Sequence, residues 1–128
     1  MKLLFLVAAL PTFPLDGVTL PIEELLPQFA KDYEVTIGTF AGSIDAEAHA
    51  LERGASEVLR LPVRSKRQVL PMVPPGISSY YSADATSLLK DRAFDLVVSH
   101  RLHTAFVGSS PKADRRVLIV QDLSLIHI

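Results

Sequence analysis

The sequence predicts an α/β fold, a Rossmann-like three-layer sandwich around a mainly parallel sheet of about five strands. Three observations predict it. Apolar or β-branched runs of strand length recur at Leu3–Leu10, Glu34–Phe40, Glu57–Leu61, Phe94–Ser99 and Arg116–Gln121. Segments with the apolar spacing of a helix separate them. The runs LLFLVAAL and FDLVVS carry apolar residues on both faces, as strands covered above and below must.

The elements follow in order. Leu3–Leu10 reads as a central strand. It also has the look of a secretory signal, a lysine followed by an apolar octet, but the octet is short and Pro11–Pro14 stands where a small-residue cleavage site would fall. From Leu20, the residues Ile22, Leu25, Leu26, Phe29, Ala30 and Tyr33 repeat at i, i+3, i+4, i+7, i+8 and i+11, one face of a helix. Thr19 suits its N-cap and Pro21 its first turn. Pro27 falls inside, where proline removes a hydrogen bond and costs about 3 kcal/mol, so a bend or break is expected there. EVTIGTF alternates and is the second strand.

Ser43 or Asp45 caps a helix running through Arg53, its inward face drawn from Ile44, Ala48 and Leu51, with Gly54 as the stop. A short third strand, Glu57–Leu61, precedes an irregular, proline-rich stretch, Val63–Gly76, holding one helical turn at Gln68–Leu70. Asp84 caps a helix through Arg92 with Ala85, Leu88 and Leu89 inward. Phe94–Ser99 and Arg116–Gln121 complete the sheet. The chain's close at Ile128 directly after a strand leads to the expectation of a truncated reading frame. Residues 1–122 then form the domain and 123–128 a truncation tail.

Composition excludes whole classes. The chain has 128 residues, 48% of them hydrophobic, 21% charged, with net charge −1. That length suits one domain, and that charge gives no bulk attraction to nucleic acid. Cysteine is absent, which removes disulfides, thiolate metal sites and cysteine nucleophiles. No G-x-G-x-x-G follows the first strand, and neither G-x-x-x-x-G-K-[ST] nor G-x-S-x-G occurs. No acidic pair precedes the first strand, which argues against a phospho-acceptor receiver.

In an open parallel sheet, ligands bind beyond the carboxyl ends of the strands. Three polar clusters fall there: Asp16 and Gly17 after the first strand, His100, Arg101 and His103 after the fourth, and Gln121 with Asp122 after the fifth. Each has an ordinary alternative. Asp-Gly is common in turns, Arg101 can pair with a carboxylate, and a loop histidine is often solvated. His100 and His103 have no third ligand in view, so no metal is expected. His49 falls on the polar face of its helix and reads as solvated. Arg60, Arg64, Lys66 and Arg67 form a cationic run without an acid between Val58 and Ala83. It reads as a solvated loop, with anionic lipid headgroups or a phosphorylated acceptor as the sharper alternative.

Taken in order, LLFLVAALPTFPLDG, EELLPQFAKDYEVTIGTF, PPGISSYYSADATSLLKD, FDLVVSHRLHTAFVG and RRVLIVQD resemble the N-terminal, acceptor-side domain of bacterial two-domain glycosyltransferases. The closest likeness is to the sugar transferases of exopolysaccharide assembly. The resemblance implies a retaining, metal-independent enzyme without a cofactor, moving a sugar from a nucleotide-diphosphate sugar to a glycan or lipid-linked acceptor. It implies a cytoplasmic location, with contact at the inner face of the membrane, and a second domain that holds the donor. His100 would be catalytic, facing the transferred sugar. Arg101 and His103 would meet acceptor or phosphate, with Asp16, Gly17 and Asp122 also on the substrate. Where such enzymes carry paired glycines, this chain has Gly17 followed by Val18, and Pro21 stands where arginine is frequent. Two rivals share the fold, a non-catalytic binding or scaffold module and a sugar-nucleotide epimerase fragment.

Overall fold

A computed structural model describes residues 1–11, 19–62, 83–100 and 104–119. Its elements are β1 (Lys2–Val7), α1 (Leu20–Ala30), β2 (Glu34–Thr39), α2 (Ile44–Glu52), β3 (Glu57–Arg60), α3 (Ala83–Leu89), β4 (Ala93–His100), α4 (Ala105–Gly108) and β5 (Lys112–Ile119). Among the described residues the five strands form one sheet in the order β3-β2-β1-β4-β5, every neighbouring pair parallel. The α/β, Rossmann-like reading therefore holds.

Strand alternation divides the core into two layers. Leu3, Phe5 and Val7 of β1 join Val35 and Ile37 of β2 beneath Ile22 and Leu26 of α1 and Ala46 and Ala50 of α2. Leu4 and Leu6 face the opposite way and join Val97 against Ala85 and Leu89 of α3 and Val107 of α4. Every side chain from Leu3 to Val7 is fully buried, so β1 is the central strand. Each such side chain contributes about 1.5–3 kcal/mol by leaving water. Phe5 also meets Phe29 of α1 edge-on, with ring centroids 5.3 Å apart.

The boundaries shift in instructive places. β1 ends at Val7, three residues before the expected Leu10. Leu10 stays buried, and its N–H donates to the Ala41 carbonyl at 3.0 Å. α1 runs unbroken through Pro27. The proline removes the N–H that would have served the Glu23 carbonyl four residues back, and the Arg53 guanidinium donates there instead, at 3.1 Å. The helix tolerates its proline because another element supplies the donor. Ser43 does cap α2, its hydroxyl accepting from the Ala46 N–H at 3.1 Å. The buried face, however, is Ala46 and Ala50, while Ile44 is 77% and Leu51 49% exposed. Small residues let the helix lie close on the sheet, and that proximity outweighs the larger apolar residues.

Gly54 ends the segment with φ +126°, and a Cβ there would stand 2.6 Å from that of Ala30. α3 starts at Ala83, ahead of the expected cap Asp84, and Leu88 is exposed instead of inward. β5 begins at Lys112, four residues before its expected start, and is exposed along most of its length. A polar edge strand carries little of the periodicity by which strands are recognised. The expected helical turn at Gln68–Leu70 and the tail 123–128 lie outside the described residues.

Candidate functional site at the carboxyl edge of the sheet

The order β3-β2-β1-β4-β5 turns outward in two directions from β1. The connections β1–α1–β2 and β2–α2–β3 place their helices on one face, whereas α3 and α4, which flank β4, pack on the other. The sheet order thus reverses between β1 and β4, at the carboxyl ends of these two strands. Ligands of open α/β sheets gather at this reversal point.

His100 is the last residue of β4 and stands opposite Ile119 of β5. By alternation it shares a face with Leu96 and Val98, toward the layer under α1 and α2. Its ring is 1% exposed and meets Phe5 edge-on, with centroids 6.5 Å apart at 88°. The sequence reading places this imidazole after the strand, open to solvent. Instead β4 continues one residue further, and the continued pleat turns the ring into the core. Thr104 follows with a buried side chain whose hydroxyl donates to the His100 carbonyl at 3.1 Å. Gly108 of α4 then returns so closely that a Cβ on it would meet the Ser99 hydroxyl oxygen at 2.4 Å. Asp16, Gly17, Arg101, His103 and Asp122, expected on the substrate, lie outside the described residues, as do Gln121, Val18, Arg64, Lys66 and Arg67.

On the β2 side the edge is tied off by its own hydrogen bonds. The Thr39 hydroxyl donates to the Ala41 carbonyl at 2.7 Å, and the Leu61 N–H donates to the Thr39 carbonyl at 2.8 Å. Gly42 packs on Leu10, and a Cβ there would lie 2.8 Å from its Cδ1. A cavity of about 80 Å³ remains, lined by Thr39, Phe40, Ala41, Gly42 and Arg60. Arg60, the described member of the cationic run, makes a two-pronged pair with Glu47 of α2, at 2.5 and 3.0 Å. This hydrogen-bonded pair holds the Glu47 carboxyl below the usual carboxylate range and raises the Arg60 guanidinium.

His49 is not the solvated residue expected. Its Nε2 lies 2.7 Å from Glu23 Oε1, and Arg53 Nε reaches the same oxygen at 3.0 Å, so α2 clasps α1 through one carboxylate. Sequence reasoning overlooked this clasp and the role of Thr39 and Gly42 at the edge. The clasp joins positions 23, 49 and 53, whose separation carries no local signal. Thr39 and Gly42 had a weak one, at the end of a β-branched strand. Among the described residues, no three His, Asp or Glu side chains gather to hold a metal ion, and no helix is long and apolar enough to cross a membrane. Comparison with known proteins finds no matching family model, no similar curated protein and no similar solved structure.

Proposed function

We propose that the chain is the acceptor-side half of a glycosyltransferase, moving a sugar from a nucleotide-diphosphate sugar to a glycan or lipid-linked acceptor. The observation that carries this reading is the reversal of the all-parallel sheet between β1 and β4, the point at which ligands of such sheets bind. The sequence likeness supplies the reaction class. In this reading the polar residues following β1 and β4 (Asp16, Gly17, Arg101, His103) touch the acceptor, with Asp122 after β5, and a second domain holds the donor diphosphate. In this reading His100, given its burial, supports the end of β4 and does not touch the acceptor. Stabilising a departing diphosphate takes positive charge held in place, and the donor domain provides it.

The buried ring of His100 favours one alternative, a binding module of the same fold that carries no catalytic group of its own. Assaying the full product of the gene that encodes residues 1–128 against a panel of nucleotide-diphosphate sugars separates the two. The transferase reading expects a second Rossmann-like half and sugar transfer by the extended protein. It expects none from the 128-residue chain, because losing the donor-side contacts forfeits many powers of ten in rate. Turnover by the short chain alone, or an extended protein that transfers no sugar, refutes the proposal.

A further inference from the structure

The amino edge of the sheet, opposite the carboxyl edge, holds a concavity. A cavity of about 340 Å³ lies there, lined by Lys2 of β1, Glu34 and Thr36 of β2, Ser56 just before β3 and Glu57 at its start, Arg92 just before β4, and Ala93 and Phe94 at its start. Its size falls in the range of small-molecule sites. Strand alternation explains the lining. Leu3, Val35 and Val58 face α1 and α2, so their neighbours Lys2, Glu34, Thr36 and Glu57 point to the other side of the sheet.

The charges divide into a spent pair and an open pair. Arg92 donates to Glu57 Oε1 at 2.8 Å, and the two neutralise each other as one wall. Lys2 and Glu34 stand side by side as register partners on adjacent strands. Among the described residues neither side chain makes an ion pair. Thr36 is 8% exposed and lines the cavity. Phe94, 7% exposed, and Ala93 add an apolar patch beside these polar groups.

We infer that this amino-edge cavity binds a small zwitterion of the α-amino-acid class. Its carboxylate sits on the Lys2 ammonium and its ammonium on the Glu34 carboxylate. Strands about 4.8 Å apart root these two side chains close enough for one amino-acid head group to reach both. Thr36 and Ser56 supply hydrogen bonds between them, and the ligand's carbon chain rests on Phe94 and Ala93. A plain anion meets Glu34 as a repulsive neighbour and a plain cation meets Lys2, so each half alone binds poorly. The site is independent of the carboxyl edge and of the transferase reading.

The test is an NMR titration of the labelled 128-residue chain with L-alanine, set against acetate and methylammonium as the two halves. The zwitterion should produce saturable shifts centred on the amides of Lys2, Glu34, Thr36 and Ser56, and the halves should not. Lys2→Met and Glu34→Gln change exposed side chains and leave the fold intact, and each should weaken binding by about tenfold, the scale of one hydrogen bond to a charged group. Thr36→Val keeps the shape and should weaken it by a smaller factor. Absence of saturable shifts at millimolar L-alanine overturns the proposal. Equal binding by acetate, or unchanged affinity in both charge variants, overturns it as well.

Discussion

The proline inside α1 offers a quantitative test of how this fold is held together. Pro27 removes the N–H that would serve the Glu23 carbonyl, and Arg53 Nη2 supplies the bond from α2 at 3.1 Å. Arg53 Nε also pairs with the Glu23 carboxylate at 3.0 Å, the Arg53 side chain being 41% and that of Glu23 12% exposed. The carbonyl bond is worth about 1 kcal/mol. The ion pair, discounted for the solvent around Arg53, adds about 0.5 kcal/mol. Arg53→Ala should therefore cost about 1.5 kcal/mol.

In a Pro27→Ala background the new N–H at position 27 serves the Glu23 carbonyl directly. There Arg53→Ala should cost only the ion pair, about 0.5 kcal/mol. The two substitutions should thus couple by about 1 kcal/mol, well above the 0.3–0.5 kcal/mol within which independent sites usually add. Pro27→Ala alone should stabilise by about 1–2 kcal/mol, less than the roughly 3 kcal/mol an interior proline costs, because Arg53 already offsets part of it. Urea unfolding of the four proteins measures all three quantities, provided the m-values agree. Additive losses, or a Pro27→Ala variant less stable than the parent, would refute the idea that Arg53 substitutes for the missing donor.

Gly108→Ala should destabilise by about 1–3 kcal/mol through overpacking, since its Cβ would meet the Ser99 hydroxyl oxygen at 2.4 Å and Leu6 Cδ1 at 3.2 Å. Adding Ser99→Ala removes that oxygen and should recover part of the loss in thermal unfolding. Unequal behaviour in acid is expected of Glu47. Its carboxyl is held below the usual range by the hydrogen bond from Arg60, so the pair stabilises the fold above the ordinary glutamate pKa. That stability is lost as pH falls through the lowered value. Glu47→Gln should flatten the acid limb of a stability–pH profile, and a limb unchanged in slope would show that the pair contributes nothing there.

Much of the architecture was legible in the chain. LLFLV, with no polar residue at any alternate position, reads as a strand covered on both sides, and Leu3 to Val7 are fully buried. Ser43 and Gly54 marked the ends of α2 because a hydroxyl cap and a positive-φ stop act on their own neighbours in sequence. Such signals are local. Backbone preferences and side-chain periods are set within a few residues, before any long-range contact forms.

The rest was decided by the tertiary structure. Nothing near Ala46 or Ala50 says that these small residues, and not Ile44 and Leu51, will lie on the sheet. Only the distance allowed between α2 and β2 and β3 makes that choice. His100 reads as the polar end of a strand, yet one further residue of pleat, paired opposite Ile119, turns its ring into the core. The donor that lets α1 run through Pro27 comes from Arg53, and the amino-edge cavity assembles Lys2, Glu34, Thr36, Ser56 and Arg92 from four strands' ends. These contacts join residues far apart along the chain. Their free energy appears only when the strands have taken the order β3-β2-β1-β4-β5, and loop closure and packing select that order where local preference cannot.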